Sequence, residues 1–533
     1  MVFALSGFSS AFAQNFGVSV NNAFQYGYGT ESGFFGEEDK EYLENFSDVR
    51  LFSDNVTIGF RLELRQPAEF GPDEQGITRR YIQFERDGLT LRAGDLFGLF
   101  NRGLSLNLFE DRVIRFDTSL DGLYAEYDTD YFRAKIIGGE INYLEQLTFD
   151  DPVIHEENHS IRGANLELKP HRAVRLGGSF VRAVSNIPEY FNAEVVDTVT
   201  THVPEVYGRF RLPFADISLG YAHRFAEYSD SLETEGGAFY TSIAHFGSGY
   251  GLTLEYKNYR YNIADPLEEF EFLRPNRMLP FQNPPIAHKQ HSYTLMSREP
   301  HLVNFNDEVG LFLDAFYSFS PRVLSNASFA WASRNFAWDM DPDTFEFERS
   351  EVGTSWLPSF DEKRSPFWEV YVDTEYMLPD FLSYVKAGYN YRSLGFYSSF
   401  LPESSYEIKQ HNMFVELQYS LTPVWSIKAI SEHQFEKDGQ IPLDPHSYSK
   451  LLTLQVSKAP SFSVTGRMEL TNSDYDPSGD KSWFALDASY RIGRSHTVSA
   501  GYGSERGGAV CINGVCRIVN AFEGFRFSLV SVF

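Results

Sequence analysis

The chain has 533 residues, a net charge of −27 and 16% aromatic residues, among them 31 tyrosines and 49 phenylalanines. So acidic a chain is excluded as a nucleic-acid binder, because phosphate contacts need a basic surface. Its mean hydropathy of −0.32 reads as soluble, and no apolar run approaches the roughly 18 residues of a membrane helix. A transmembrane barrel gives the same reading, since lumen-facing polar residues alternate with lipid-facing apolar ones.

In chain order, the first signal is Ala11-Phe12-Ala13, an A-x-A cleavage pattern after an apolar stretch. The positively charged region that normally precedes such a stretch is missing. We take residues 1–13 as a signal-peptide remnant and 14–533 as one domain. No composition break, Ser/Gly linker or low-complexity tract divides that domain, although its length suits three or four soluble domains.

Strand patterns follow. Val56, Ile58, Phe60, Leu62 and Leu64 alternate with Thr57, Gly59, Arg61, Glu63 and Arg65. The same period of two recurs at Val309–Ser318, Trp368–Tyr376 and Phe462–Thr471, and places each set on one side of a sheet. These runs are roughly nine to twelve residues, the length a tilted strand needs to cross a bilayer. Short connections such as Asp87-Gly88, Pro170-His171 and Gly493-Arg494 alternate with long polar ones: 29–42, 66–76, 96–120, 141–158, 185–202, 262–305, 335–364 and 505–520 among them. That asymmetry is the short-turn and long-loop pattern of outer-membrane barrels. It predicts an all-β, antiparallel, up-and-down transmembrane β-barrel of about 24 strands, between 22 and 26.

The first strand is expected near Phe16, which leaves no N-terminal plug domain and argues against an energised plug-type receptor. The loops 96–120 and 262–305 are then the candidates to narrow the lumen. Phe97 to Phe109 is too apolar for a free external loop. Either it folds inward, with Arg102 at the constriction, or it is a short strand extension or a loop packed on the rim.

The inward face of the early strands is rich in cations: Arg61, Arg65, Arg92, Arg133, Lys135, Arg175, Arg209, Arg211 and Arg224, with Arg526 on the last strand. Acidic Glu63, Glu85, Glu126 and Glu167 are interspersed. Two readings stand: a charged pore wall that attracts anionic groups, or cross-strand ion pairs that hold register. The long loops are acidic, which suits plain solubility, divalent cations bridging to lipopolysaccharide, or repulsion of anions at the mouth.

Cys511 and Cys516 are the only cysteines and flank an Asn513-Gly514 turn signal. Their closeness across a hairpin, in an exported chain, predicts a disulfide. Asp474 to Gly479 matches the first half of a calcium loop, but Ala485 stands where its twelfth-position Glu belongs. His288 and His291 have no evident third ligand. No metal, cofactor or catalytic residue is assigned; no nucleophile elbow, zinc-protease helix or phosphate-binding loop motif occurs.

The last residues, Phe525 to Phe533, have one apolar face and end on an aromatic. They resemble the C-terminal strand of bacterial outer-membrane barrels. Tyr42-Leu43-Glu44-Asn45, Gly76-Ile77-Thr78, Arg92-Ala93-Gly94-Asp95 with Asn101-Arg102-Gly103-Leu104, and Glu505 to Arg517 are similar to an uncharacterised family of outer-membrane barrels of the Bacteroidota type, known only as a domain of unknown function. The resemblance implies a barrel in a Gram-negative outer membrane, in contact with lipid and lipopolysaccharide. It brings no catalytic residue and no substrate. The functional expectation is a non-enzymatic, porin-like channel for small polar or anionic solutes. The alternative is a scaffold docking a secretion complex or surface lipoprotein through its external loops.

Overall fold

The computed structural model describes residues 16–33, 36–145, 155–189, 192–229, 233–263, 279–349, 356–441, 445–476, 479–512 and 515–533. The candidate signal remnant lies outside them. Twenty-four strands form one closed antiparallel sheet. The first six are β1 (Gly17–Gly33), β2 (Gly36–Ser53), β3 (Val56–Arg65), β4 (Glu74–Arg86), β5 (Leu89–Leu96) and β6 (Leu120–Asp128). Next come β7 (Phe132–Glu145), β8 (His155–His171), β9 (Val174–Glu189), β10 (Asn192–Arg211), β11 (Asp216–Tyr228) and β12 (Glu233–Gly247). The third quarter holds β13 (Tyr250–Arg260), β14 (Glu308–Ser320), β15 (Val323–Ser333), β16 (Phe367–Met377), β17 (Tyr384–Phe396) and β18 (Tyr406–Ser420). The last are β19 (Trp425–Asp438), β20 (His446–Lys458), β21 (Phe462–Thr471), β22 (Ser482–Ile492), β23 (His496–Glu505) and β24 (Ala521–Val532). Each strand pairs with its chain neighbour. The sheet closes where β24 meets β1, from Asn21 opposite Val532 to Ser32 opposite Ala521.

The local reasons are those of the sequence. Asp87-Gly88 turns β4 into β5 with both residues at positive φ, 49° and 82°, the geometry of a tight hairpin turn that suits a twisted strand pair. On β8, Ile161, Asn165 and Glu167 are buried, whereas Leu166 and Leu168 are about half exposed. The apolar set therefore faces outward and the mixed polar set faces the interior, as a lipid-facing barrel requires. Closure leaves the 24-stranded sheet without an unpaired edge.

Three expected loops are strand wherever they are described. Residues 29–42 continue β1 and β2 in unbroken register to Gly33 opposite Gly36. The described parts of the other two, 141–145, 155–158, 185–189 and 192–202, likewise extend β7 to β10. The polar composition that marked them as loops marks a ladder standing beyond the apolar band. Cross-strand polar contacts hold it, such as Lys40 with Glu31 at 2.8 Å and the Tyr26 hydroxyl donating to Glu41 at 3.0 Å. Near the closing seam, Gly508–Ile512 and Val515–Val519 form a separate hairpin, and its register sets Cys511 opposite Cys516. The side chains of these cysteines lie outside the described residues.

Candidate functional site: two loops folded into the barrel

The stretch after β5 turns inward. Phe100, Leu104, Leu106, Leu108, Ile114 and Phe116 are buried in one cluster with inward residues of the wall, from Ile137 on β7 to Tyr259 on β13. The apolar run 97–109 thus packs on the inner wall, burying surface at about 25 cal/mol per Å². Its polar atoms are tied as well. On β10, the Glu205 carboxylate accepts from Ser105 (2.5 Å), Asn101 (2.9 Å) and Ser179 (2.9 Å). Arg115 donates to both oxygens of Glu44 on β2, at 2.5 and 2.6 Å. Glu110 accepts from Arg61 at 2.7 Å.

A second segment, 279–305, crosses the interior from one wall to another. It begins against the first: Asn107 N–H donates to the Phe281 carbonyl at 2.8 Å, and the Gln282 amide to the Leu104 carbonyl at 3.1 Å. On β13, Tyr259 donates to the Pro285 carbonyl (2.7 Å) and Lys257 to the Ile286 carbonyl (2.6 Å). Further on, His291 meets Glu369 on β16 at 2.9 Å, and Tyr293 donates to Glu416 on β18 at 2.8 Å. Glu432 on β19 accepts from the Leu295 N–H at 2.8 Å, capping the short helical turn Thr294–Ser297. Arg298 grips Glu469 on β21 with two nitrogens.

Arg392 on β17 pins this segment. Its guanidinium pairs with Glu369 at 2.8 Å and donates to the carbonyls of Met296 (3.0 Å), Arg298 (3.0 Å) and Glu299 (2.9 Å). Burial and the nearby Glu436 and Asp438 charges raise the Glu299 carboxyl above its ordinary range. Burial, His301 and Lys257 push His288 well below its usual value, so it sits neutral. Asn101, Arg115, Ala287 and Glu299 hold positive φ between 46° and 51°. Such strain in non-glycine residues persists only where the surroundings impose it.

The predicted cations divide by partner. Arg61 pairs with Asp48 and Glu110 (both 2.7 Å), Arg65 with Glu63 (2.9 Å) and Glu74, Arg133 with Glu126 (3.2 Å) and Asp128 (2.5 Å), Arg175 with Glu167 (3.0 Å), and Arg526 with Glu505. Others hold the loops. Lys135 donates to the Leu99 carbonyl (3.4 Å), Arg209 to Asn101 (3.1 Å) and Arg224 to Asn306 (3.3 Å). Arg92 lies over the Tyr81 ring at 3.7 Å and donates to the Asp95 carbonyl at 2.8 Å. Arg211 sits at a short turn, exposed, 3.6 Å from Asp216. Arg102 is exposed on the infolded loop, within electrostatic reach of Glu255. Below that loop, Arg50, Arg61, Arg79 and Arg92 face Asp48, Asp95 and Glu110 around a cavity of 270 Å³.

Of the metal readings, Asp476 pairs with Arg506 at 2.6 Å and Asp474 with Lys481, and Pro477 and Ser478 lie outside the described residues. The sequence reading missed Glu205 and Arg298, and weighed His291 only as a metal ligand, whereas it pairs with Glu369. Glu205 carried one signal, an acid in step with inward Val203 and Tyr207. Nothing in the sequence pointed to the partners of Arg298 and His291, because Glu469 and Glu369 are remote in sequence.

Fold and interior together define a closed β-barrel of the outer-membrane type, crossed by its own loops. The chain belongs to the Family of unknown function (DUF6029), whose model matches residues 2–533. No curated protein matches it. Among solved structures it is similar to the copper transporter OprC (11% identity, TM-score 0.41, covering 98% of this chain and 81% of that one). It is also similar to the siderophore receptor PirA from Pseudomonas aeruginosa (8%, TM-score 0.45, 97% and 80%) and the P pilus usher PapC translocation pore (7%, TM-score 0.41, 96% and 99%). These likenesses concern the barrel alone and bring no function to this chain.

Proposed function

We propose that this protein is a non-enzymatic channel of a Gram-negative outer membrane, passing small polar or anionic solutes when its infolded loops shift. One observation carries the reading: segment 279–305 meets β16 to β21 through a run of hydrogen bonds and ion pairs, with small apolar clusters at Ala287 and at Tyr293 and Met296 between them. Stranding one buried partner of such a pair costs several kcal/mol, whereas water satisfies both partners when the segment leaves whole, so the segment suits a gate that docks and releases as a unit. The four arginines around the 270 Å³ cavity, against three acids, favour anionic over cationic solutes.

The test is swelling of liposomes carrying the full-length protein, with a neutral sugar, a small carboxylate and a small ammonium salt. Entry of the carboxylate ahead of the ammonium supports the proposal. Equal entry removes the anion preference, and no entry of any solute removes the channel.

A second reading, a scaffold for a surface partner, is favoured by apolar side chains exposed beyond the loop-side strand ends: Phe345, Trp356, Leu357, Phe400 and Leu401. Co-purification of one stoichiometric partner that is lost in F345S/W356S/F400S would support it; recovery of the wild-type barrel alone from its native envelope would sink it.

A further inference from the structure

The outer wall carries a feature that the channel does not use. On β8 the outward positions from the short turn upward are Pro170, Leu168, Leu166 and Ala164, then Arg162. On β9 they are Val174, Leu176, Gly178 and Phe180, then Arg182; on β10 they are Phe210, Gly208, Val206 and Pro204, then His202. The eight residue steps from Pro170 to Arg162 rise about 20 Å at a tilt of about 40°. That is close to the height of the apolar band of a membrane barrel, so all three side chains sit at its loop-side rim.

The register sets them in one row. Arg162 is directly opposite Arg182, and Arg182 directly opposite His202. Like charges placed so repel one another, and neither guanidinium has an ion-pair partner among the described residues. The nearest outward acid, Glu140, stands one step further toward the loops, opposite Ser160.

The row continues on the other side as a groove. From Arg162 it runs through Gly138, Leu123 and Ala93 to Ile82. Just below lie Phe180, Ala164, Ile136, Ala125, Leu91 and Phe84. Glycine and alanine on strand after strand form a floor between Leu123, Ile136 and Phe180, and leave a concavity of 1040 Å³ bounded at one end by Arg162 and Arg182. A Cβ added at Gly138 would come 3.9 Å from Arg162 Cγ, so the arginine stem already lies along this floor.

We propose that this is a lipid site for a phosphorylated glycolipid of the outer leaflet, with a phosphomonoester between Arg162 and Arg182 and an acyl chain in the groove. A phosphomonoester carries about −1.5 to −2 charges at pH 7 and matches two guanidiniums, which bind it in bidentate fashion. The site rests on the outer-membrane address and is independent of the channel reading.

The test is native mass spectrometry of the full-length barrel with equimolar lipid A, phosphatidylglycerol and phosphatidylcholine, and separately with inorganic phosphate. Two cations at about fivefold each give an expected preference of about 25-fold for lipid A over phosphatidylcholine. R162Q/R182Q should abolish the preference, and A164W, which fills the groove and keeps both arginines, should weaken it. The single variants R162Q and R182Q cover a double variant that fails to fold, and heat-modifiable mobility reports folding in each case. Insertion of each variant into liposomes checks the membrane address separately. No preference in the wild type, an unchanged preference in R162Q/R182Q, equal retention of phosphatidylglycerol, or displacement of lipid A by equimolar phosphate would each overturn the site.

Discussion

Replacing Arg392 by methionine tests the gate at its pin. The change keeps an unbranched apolar stem of similar reach and removes every donor. Lost are the bonds to the Met296, Arg298 and Glu299 carbonyls and the pair with Glu369, which retains His291 alone. Arg392 and Glu369 are both buried. Hydrogen bonds to a charged group contribute about 1.5–3 kcal/mol each, and three at the low end give about 4.5. Breaking a buried ion pair costs about 3–5 kcal/mol by an independent route. Taking about 4 kcal/mol, the ratio of docked to released loop falls by nearly three orders of magnitude, since about 1.4 kcal/mol is tenfold. Hydrogen exchange at the amides of 286–301 should accelerate at least about tenfold, while strand amides of β16 and β17 hold their protection. R392M/E369Q should be milder than R392M, because no carboxylate is left stranded. Wild-type protection at 286–301 in R392M would refute the idea that this arginine holds the segment.

Other outcomes follow from the same contacts. His288 is neutral in the folded state with its pKa depressed, so its contribution to docking is complete above about pH 6.5 and is lost as pH falls below that value. Proteolysis within 286–301 should therefore quicken from pH 7.5 to pH 5, and H288L should flatten the change; Glu299, whose pKa is raised, acts in the opposite sense over the carboxylate range. Leu104 is fully buried, so L104A should cost about 2–5 kcal/mol of first-loop docking, seen as faster exchange at 98–108 with unchanged barrel circular dichroism. Cys511 and Cys516 should resist alkylation in the non-reduced protein and react after reduction; ready alkylation without reductant would remove the disulfide.

The barrel was legible because a period of two is a local property and polar stretches recur between apolar runs, although two of those stretches, 29–42 and 185–202, are strand up to two-residue connections. Turn chemistry at Asp87-Gly88 is written in the residues that make the turn, whereas Pro170-His171 belongs to the end of β8 and the turn itself is Arg172-Ala173. The extent of the strands was not legible. In 29–42 both faces are polar because neither meets lipid, and composition reports solvent rather than backbone conformation. The infolding of the first loop was half visible in Phe97 to Phe109, where apolar side chains need a wall. The course of 279–305 was not, because its contacts join residues as far apart as Arg298 and Glu469, 171 positions away. The inward cations show the same limit. Alternation gives the side of the sheet on which Arg61, Arg175 and Arg224 stand, but a carboxylate or loop amide that meets each of them is a matter of three-dimensional packing.

Single-channel conductance in a planar bilayer tests the central claim most directly, comparing the wild type with R392M and with a chain lacking 279–303. A loop-gated barrel predicts small or infrequent openings in the wild type, more frequent openings in R392M and a large steady conductance in the deletion. A silent bilayer for all three, with each protein shown to be inserted and heat-modifiable, would contradict it.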